Sequence, residues 1–185
     1  MRLTLVDRRS QREDPDPWQL DGKDWSRVES LVRGLGPANW SVDLVLVDDQ
    51  AMADLNRSWR GGEGVTDVLS FTYLEEAGDG LSDVAAGDED AARDMWLPPV
   101  MAPGAGDADS APVVGEVVLA PGFVADRCRA QGWDTDLEWP LLVVHGCLHV
   151  LGWEHDNIVK RSAMADREAE HLARVGLPHP LRERN

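Results

Sequence analysis

The most constraining feature of the sequence is a long apolar stretch, residues 139–153, with two histidines in its interior. It is too short to cross a membrane, because a spanning helix needs about 20 apolar residues. Acidic residues at 134 and 136 are helix-start signals, and Gly152 is a stop signal. Pro140 is compatible with this helix only in its first turn. The stretch therefore predicts one buried helix against which the rest of the chain must pack.

Shorter patterns around this helix show strand or helix periodicity. Strands are predicted around Leu3 and Leu5 and at 40–47, 65–73 and 113–119. Helices are predicted at 24–35, 48–59, 123–131, 134–152 and 157–175, the last with Asp156 as its N-cap. This order predicts an α+β fold, in which helices pack on one small, mostly single-layer mixed β-sheet.

An acidic segment at about 75–112 interrupts this order. It is rich in Ala, Gly, Asp and Pro and carries ten acidic residues against one basic residue. A structureless stretch of this length is typical of a disordered or functional insert, and a solvated acidic loop is the plainer interpretation. With 185 residues, 43% of them apolar, the chain suits a single domain over 1–185 that contains this insert.

Charge and cysteine content exclude several classes of protein. A net charge of −16 argues against binding to nucleic acid through a broadly basic surface, although a local basic site remains compatible with it. Cys128 and Cys147 are too few for a disulfide framework or a Cys-rich zinc module, and both are expected in the core. The first 14 residues lack the features of a secretory signal. We therefore expect a cytoplasmic protein that does not contact membranes.

Three of the five histidines lie within eleven residues, in the pattern HxxxHxxGxxH. His145 and His149 share one face of a helix, with Cβ atoms roughly 5–6 Å apart. Gly152 can turn the chain in a left-handed conformation and bring His155 over the same face. Three neutral imidazoles leave the fourth tetrahedral position of a zinc ion open, as in catalytic sites. The pattern therefore predicts a metal site. His171 and His179 lack such spacing and are expected at the surface.

The same spacing occurs in metzincin proteases, which makes a metallopeptidase the first alternative. Those enzymes need a glutamate directly after the first histidine as general base. That position is Gly146 here, which cannot accept a proton, and Glu154 lies on the turn rather than on the helix. The peptidase interpretation is weakened accordingly.

Three collinear blocks resemble the bacterial YbeY family of metal-dependent endoribonucleases. The segment VVHGCLHVLGWEHD is similar to the family signature HGxLHLxGyDH. The segment LNRSWRGGEGVTDVLSF resembles its NxxyR…TDVLSF block, and GEVVL at 115–119 resembles its GDIxI strand. Glu154 and Glu116 stand where the family has aspartate, and Val150 replaces leucine. The insert is also longer than the family pattern.

The resemblance implies a zincin-like metal-binding helix, with one Zn²⁺ on His145, His149 and His155. It implies cleavage of single-stranded rRNA during 3′-end maturation of the small-subunit (16S) RNA, a part in ribosome quality control, and no action on DNA. The expected partners are single-stranded rRNA and the small ribosomal subunit. Three imidazoles also suit other divalent transition metals such as nickel, copper or cobalt.

Block matches supply further candidate residues. Arg60 is the candidate clamp for the charge that develops on a phosphodiester, because its planar guanidinium suits bidentate phosphate contact. Glu154 is a candidate proton acceptor. Asp67 can orient a metal-bound histidine, or simply begin a strand and cap a turn. The remaining substrate or supporting candidates are Thr66, Ser70 and Glu116.

A third interpretation is a non-catalytic, metal-stabilised factor that associates with the ribosome. The negative charge of the chain mildly favours it over tight RNA binding. A local cluster of arginines can still form a positive patch near the cleft: Arg57, Arg60, Arg127 and Arg129. Reversing the charge at Arg60 separates this interpretation from a nuclease.

Overall fold

The computed structural model describes residues 1–10, 22–74 and 111–183. The strands are β1 (Arg2–Asp7), β2 (Ser41–Leu46), β3 (Val68–Thr72) and β4 (Val113–Leu119). The helices are α1 (Gly22–Val32), α2 (Asp49–Arg60), α3 (Pro121–Gln131), α4 (Thr135–Val150), α5 (Ile158–Ala173) and α6 (Pro180–Glu183). The expected α+β fold is confirmed. Among the described helices, none is both long and apolar enough to cross a membrane.

The four strands form one mixed sheet in the order β1-β2-β4-β3. β1 and β4 both run parallel to the central strand β2, whereas β3 pairs with β4 in the antiparallel direction. In that last pair Ser70 lies opposite Val117, and Phe71 lies opposite Glu116. Since neighbouring residues on a strand point to opposite faces, these two pairs face different sides of the sheet.

Each face of the sheet contributes to its own core. On one face, Val117 and Leu119 join residues of α1, α3, α4 and α5 in the larger core. On the other face, Val118 packs with Met52 and Leu55 of α2. Helix α4 contacts the sheet together with α1, α3 and α5, which is why its sequence is apolar around most of its circumference. The histidine-bearing helix is thus the central helix of the fold.

Several local expectations about α4 and its neighbours need correction. Pro140 is the sixth residue of α4 and lies beyond the first turn, contrary to the prediction. Its ring removes only one hydrogen bond near the start of the helix, and the helix continues through it. Asn157, not Asp156, caps α5, because its side chain accepts a hydrogen bond from the Lys160 amide at 2.9 Å. Helix α6 was not predicted.

Burial of the remaining histidines and cysteines gives a mixed outcome. Cys128 and Cys147 are buried, as predicted. His171 and His179 are also buried, so their expected surface location is wrong. The absence of metal-ligand spacing does not imply exposure, and His171 lies on the stripe of α5 that faces the core. The acidic insert predicted at about 75–112 falls outside the described residues except for its last two.

Candidate metal centre

Helix α4 and the turn after it bring three imidazole rings together. His145 and His149 lie one turn apart on the half-buried face of α4. Gly152 follows with a φ of +83°, which only glycine adopts readily, and the chain reverses so that the exposed His155 approaches both rings. One nitrogen from each ring lies within 4.8 Å of the others. We refer to these three residues as the histidine triad.

Ring orientation in the triad is that expected of metal ligands. Nε2 of His149 lies 3.2 Å from Nε2 of His145, so the two atoms face the same point. Nδ1 of His145 lies 2.8 Å from Oε1 of Glu168 and donates to that carboxylate. With its proton on Nδ1, His145 presents a lone pair on Nε2. The donor set therefore fits a borderline-soft divalent ion such as zinc.

The neutral state of His149 also favours metal binding. Burial lowers its pKa to about 4, and the nearby rings of His145 and His155 act in the same direction. A backbone hydrogen bond to Trp153 opposes this shift without cancelling it. His149 is therefore neutral at physiological pH, which is the form that ligates a metal. The triad could hold a divalent ion.

Gly146, which lies between the first two ligands in the sequence, is required by the close packing of α4 on the sheet. A Cβ at Gly146 would lie 2.5 Å from Cγ1 of Val117 and 3.1 Å from Oγ of Ser70. Ser70 and Val117 pair across the sheet directly beneath α4, so the helix can approach this closely only through glycine. A glutamate at this position, as metzincins require, would collide with the sheet. The packing thus argues against the metallopeptidase interpretation.

Glu168 on α5 contacts the triad through His145 and was not among the residues predicted from the sequence. It is 5% exposed, and its second oxygen lies 3.0 Å from Nε2 of His179. Burial alone would raise its pKa, but hydrogen bonds from His145 and His179 outweigh burial and lower it. One signal in the sequence was available, since Glu168 occupies the core-facing stripe formed by Met164 and Leu172. A carboxylate on such a stripe needs partners.

Asp67, for which both a histidine contact and a role at the start of a strand were open, lies beside α3. Its carboxylate pairs with Arg127 of α3, and it also accepts hydrogen bonds from Thr66 Oγ1 and the Val68 amide. Arg127 in turn reaches the buried Glu138 of α4 at 3.4 Å. Asp67 therefore directly precedes β3 and anchors α3, whereas Glu168 makes the described contact with His145.

The other predicted site residues differ in exposure and in their position relative to the triad. Arg60 is exposed at the end of α2, and its charge is close enough to help lower the pKa of His149. The side chain of Glu154 is 66% exposed and forms a salt bridge with Lys160 at 3.2 Å. Glu116 is buried on the sheet face opposite α4, because its neighbour Val117 faces Gly146. The predicted supporting role for Glu116 at the metal is therefore corrected.

A cavity of about 450 Å³ opens beside the triad. His145 and His155 form part of its wall, and Arg127, Arg161 and Glu138 add polar groups. Its remaining lining is mostly apolar or aromatic: Val68, Trp133, Leu141, Leu142, Met164, Ala165 and Leu181, with Asp67 and Glu168. A volume and lining of this kind are typical of small-molecule or nucleotide sites.

The sequence is similar to those of proteins from one known family. The profile of the family described as "Endoribonuclease YbeY" matches residues 26–176. The chain is 32% identical over 150 residues to the Endoribonuclease YbeY of Symbiobacterium thermophilum, covering 81% of this chain and 80% of that protein. It is 37% identical over 136 residues to the Moorella thermoacetica protein of the same name, covering 74% and 73%.

Two further comparisons concern length and fold. The chain is 29% identical over 152 residues to an Endoribonuclease YbeY from an Anaeromyxobacter species, and it spans 63% of the length of that relative. The solution structure of a Thermotoga maritima protein superposes with a TM-score of 0.52 at 19% identity, covering 93% of this chain and 89% of that one. At this identity the likeness concerns the fold alone.

Proposed function

Because the chain belongs to the endoribonuclease YbeY family, we propose that it is a zinc-dependent endoribonuclease specific for single-stranded RNA. The observation that carries this proposal is the convergence of three imidazole nitrogens within 4.8 Å of one another at the carboxyl end of α4. We place its action in the 3′-end maturation of 16S rRNA and in ribosome quality control, in the cytoplasm. The whole chain, 1–185, would form this one domain around the acidic insert.

The triad residues His145, His149 and His155 would hold one Zn²⁺ per chain. When bound, the ion polarises a phosphoryl oxygen and lowers the pKa of water. Two of the rings are prepared for this ion: burial keeps His149 neutral, and Glu168 accepts a hydrogen bond from Nδ1 of His145. Other divalent transition metals also bind imidazole ligands. The choice of zinc as the physiological ion is therefore part of the proposal.

Residues around the triad would bind the RNA. Arg60 would contact the phosphate at the scissile bond, where negative charge develops during cleavage. The neighbouring cavity would take a nucleotide flanking that bond, with its base against Trp133 and the apolar wall. Thr66 lies just before β3 and Ser70 lies on it, and both would support this wall. Glu154 would accept a proton only after leaving its salt bridge with Lys160.

The partner surface in this proposal is small and local. The chain carries 34 acidic and 18 basic residues, so its overall field repels RNA. Attraction would come from arginines near the triad, Arg60 and Arg161, and from shape matched to the small ribosomal subunit. DNA lacks the 2′-hydroxyl and is not a proposed substrate.

The test is cleavage of an end-labelled single-stranded RNA by the zinc-loaded protein, beside His149→Ala prepared identically. We expect defined fragments from the parent, none from the variant, and none from a duplex of the same sequence. Equal cleavage by parent and variant would contradict metal-dependent catalysis. If neither cleaves free RNA or an assembled 30S precursor, although one metal is bound per chain, the non-catalytic ribosome factor becomes the better interpretation.

A further inference from the structure

A buried carboxylate links the metal triad to the carboxyl-terminal segment of the chain. Oε1 of Glu168 lies 2.8 Å from Nδ1 of His145, and Oε2 of the same side chain lies 3.0 Å from Nε2 of His179. Glu168 and His179 are 5% and 6% exposed. Neither contact follows from the triad pattern, because 23 residues separate Glu168 from His145.

Hydrogen-bonding capacity fixes the direction of both contacts. An ionised carboxylate only accepts, so both imidazoles donate to it. His145 therefore carries its proton on Nδ1 and leaves Nε2 free for a ligand. His179 donates from Nε2, and its Nδ1 finds no partner among the described residues. His179 is thus available only to Glu168.

We infer that Glu168 and His179 are positioning residues for the metal centre: His179 holds the Glu168 carboxylate, which holds His145 in its ligand tautomer and ring orientation. Acceptors behind ligating histidines raise metal affinity by this means in other metal sites. The inference rests on the metal site of the proposed function. It adds a residue from outside the family match, since that match ends at residue 176.

Anchoring on both sides keeps His179 in place. After α5 the chain turns at Gly176, with a φ of +75°, and the Leu177 amide donates to the Leu172 carbonyl at 3.0 Å. Leu177 then packs against the larger core. Pro180 is buried and begins α6, which contacts α4. The segment that carries His179 is therefore part of the folded core.

The test compares four variants of the full chain: Glu168→Ala, His179→Ala, His179→Gln and His171→Ala. Glutamine can donate from an amide near the position of His Nε2, so His179→Gln preserves the contact. His171 is the matched control, because it is a buried histidine on the same helix that contacts the Leu31 carbonyl rather than the triad. Zn²⁺ affinity is measured by competition with a chromophoric chelator, on proteins shown by circular dichroism to be folded.

We expect Glu168→Ala to weaken Zn²⁺ binding roughly 10–100-fold and His179→Ala to weaken it by about tenfold. His179→Gln and His171→Ala should bind nearly as tightly as the parent. The inference is overturned if folded His179→Ala binds as tightly as the parent, or if His171→Ala weakens binding equally. A parent that binds no divalent metal would overturn the proposed metal site and this inference together.

Imidazole tautomers in the metal-free protein give a second measurement that needs neither metal nor activity. Long-range ¹H–¹⁵N NMR should show His145 protonated on Nδ1 in the parent and in His179→Gln. In Glu168→Ala the Nε2-protonated tautomer should gain population. Should Glu168→Ala fail to fold, the comparison of His179→Ala with His179→Gln tests the inference alone. An unchanged His145 spectrum in His179→Ala would contradict it.

Discussion

Gly146 and Val117 are in such close contact that the distance between α4 and the sheet depends on the glycine. A Cβ built on Gly146 would lie 2.5 Å from Cγ1 of Val117, well inside van der Waals contact. Val117 is fully buried and cannot move aside freely. Because Gly146 separates the first two triad positions, this contact also determines how the ligands sit above the sheet.

We therefore predict that Gly146→Ala destabilises the protein, although alanine is the better helix former. The helix-propensity gain is about 1 kcal/mol, whereas overpacking a core costs about 1–3 kcal/mol. Urea unfolding should show a net loss. Gly122→Ala on α3 is the control, because its Cβ would approach only the Asp49 side chain, at 3.3 Å.

A double-mutant cycle tests the assignment of this strain to Val117. If the two residues collide, the cost of Gly146→Ala should fall in a Val117→Ala background, with a coupling of at least about 0.5 kcal/mol. If the free-energy changes of the two substitutions simply add, the strain caused by Gly146→Ala does not come from Val117.

Metal removal should lower thermal stability, because an ion that binds only the folded state stabilises it. At a free zinc concentration of 100 times the Kd, this stabilisation is about 2.7 kcal/mol. For a domain of this size the corresponding rise in Tm is roughly 5–10 °C. Scanning calorimetry of the chelated and zinc-loaded protein measures it. His149→Ala should melt at nearly the same temperature in both states, and an equal zinc shift in that variant would argue against the triad as the site.

Charge reversal at Arg60 separates a nuclease from a non-catalytic factor. We expect Arg60→Glu to retain its metal and to lose RNA cleavage by at least about 100-fold, the effect of removing one donor to developing negative charge. Arg57→Glu is the matched control: it lies on the same helix and makes the same charge change, but its guanidinium pairs with Asp54 at 3.0 Å. If both variants cleave equally well, Arg60 does not contact the scissile phosphate.

Apolar periodicity predicted most of the helices and strands, and histidine spacing predicted the triad, because both depend on residues close together in the sequence. His145 and His149 meet through one helical turn, and Gly152 turns the chain back within three residues of His155. Contacts with Glu168 and His179 depend instead on how α5 and the segment after it pack against α4, which no local spacing encodes. Glu116 illustrates the same limit. Alternation places it opposite Val117, but only the packing of α4 shows which of the two faces the triad.

The last prediction concerns Glu116, which is 1% exposed and has one carboxylate oxygen without a partner among the described residues. Burial raises its pKa, the Asp43 carboxylate adds to this rise, and Tyr73 and Arg8 oppose it. The pKa values of Asp43 and Tyr73 are themselves raised by burial. The folded state therefore holds a proton on Glu116 at a pH where the unfolded state has released it.

The sign of the pH dependence follows from this difference in proton binding. Stability from this group is present below the ordinary glutamate pKa and is lost as pH rises towards the raised value in the folded protein. Glu116→Gln removes the loss, since the amide never ionises. Its free energy of unfolding should match the parent near pH 4. It should then exceed the parent by about 1.4 kcal/mol for each pH unit by which folding raises the pKa.

Urea denaturation at pH 4, 6 and 8 measures the difference between the two proteins. Glu63→Gln, an exposed residue with the same chemical change, is the control and should follow the parent at every pH. A Glu116→Gln variant that is less stable than the parent at pH 8 would contradict the prediction. That result would mean that the ionised carboxylate is stabilised in place, with the charge of Arg8 outweighing both burial and Asp43.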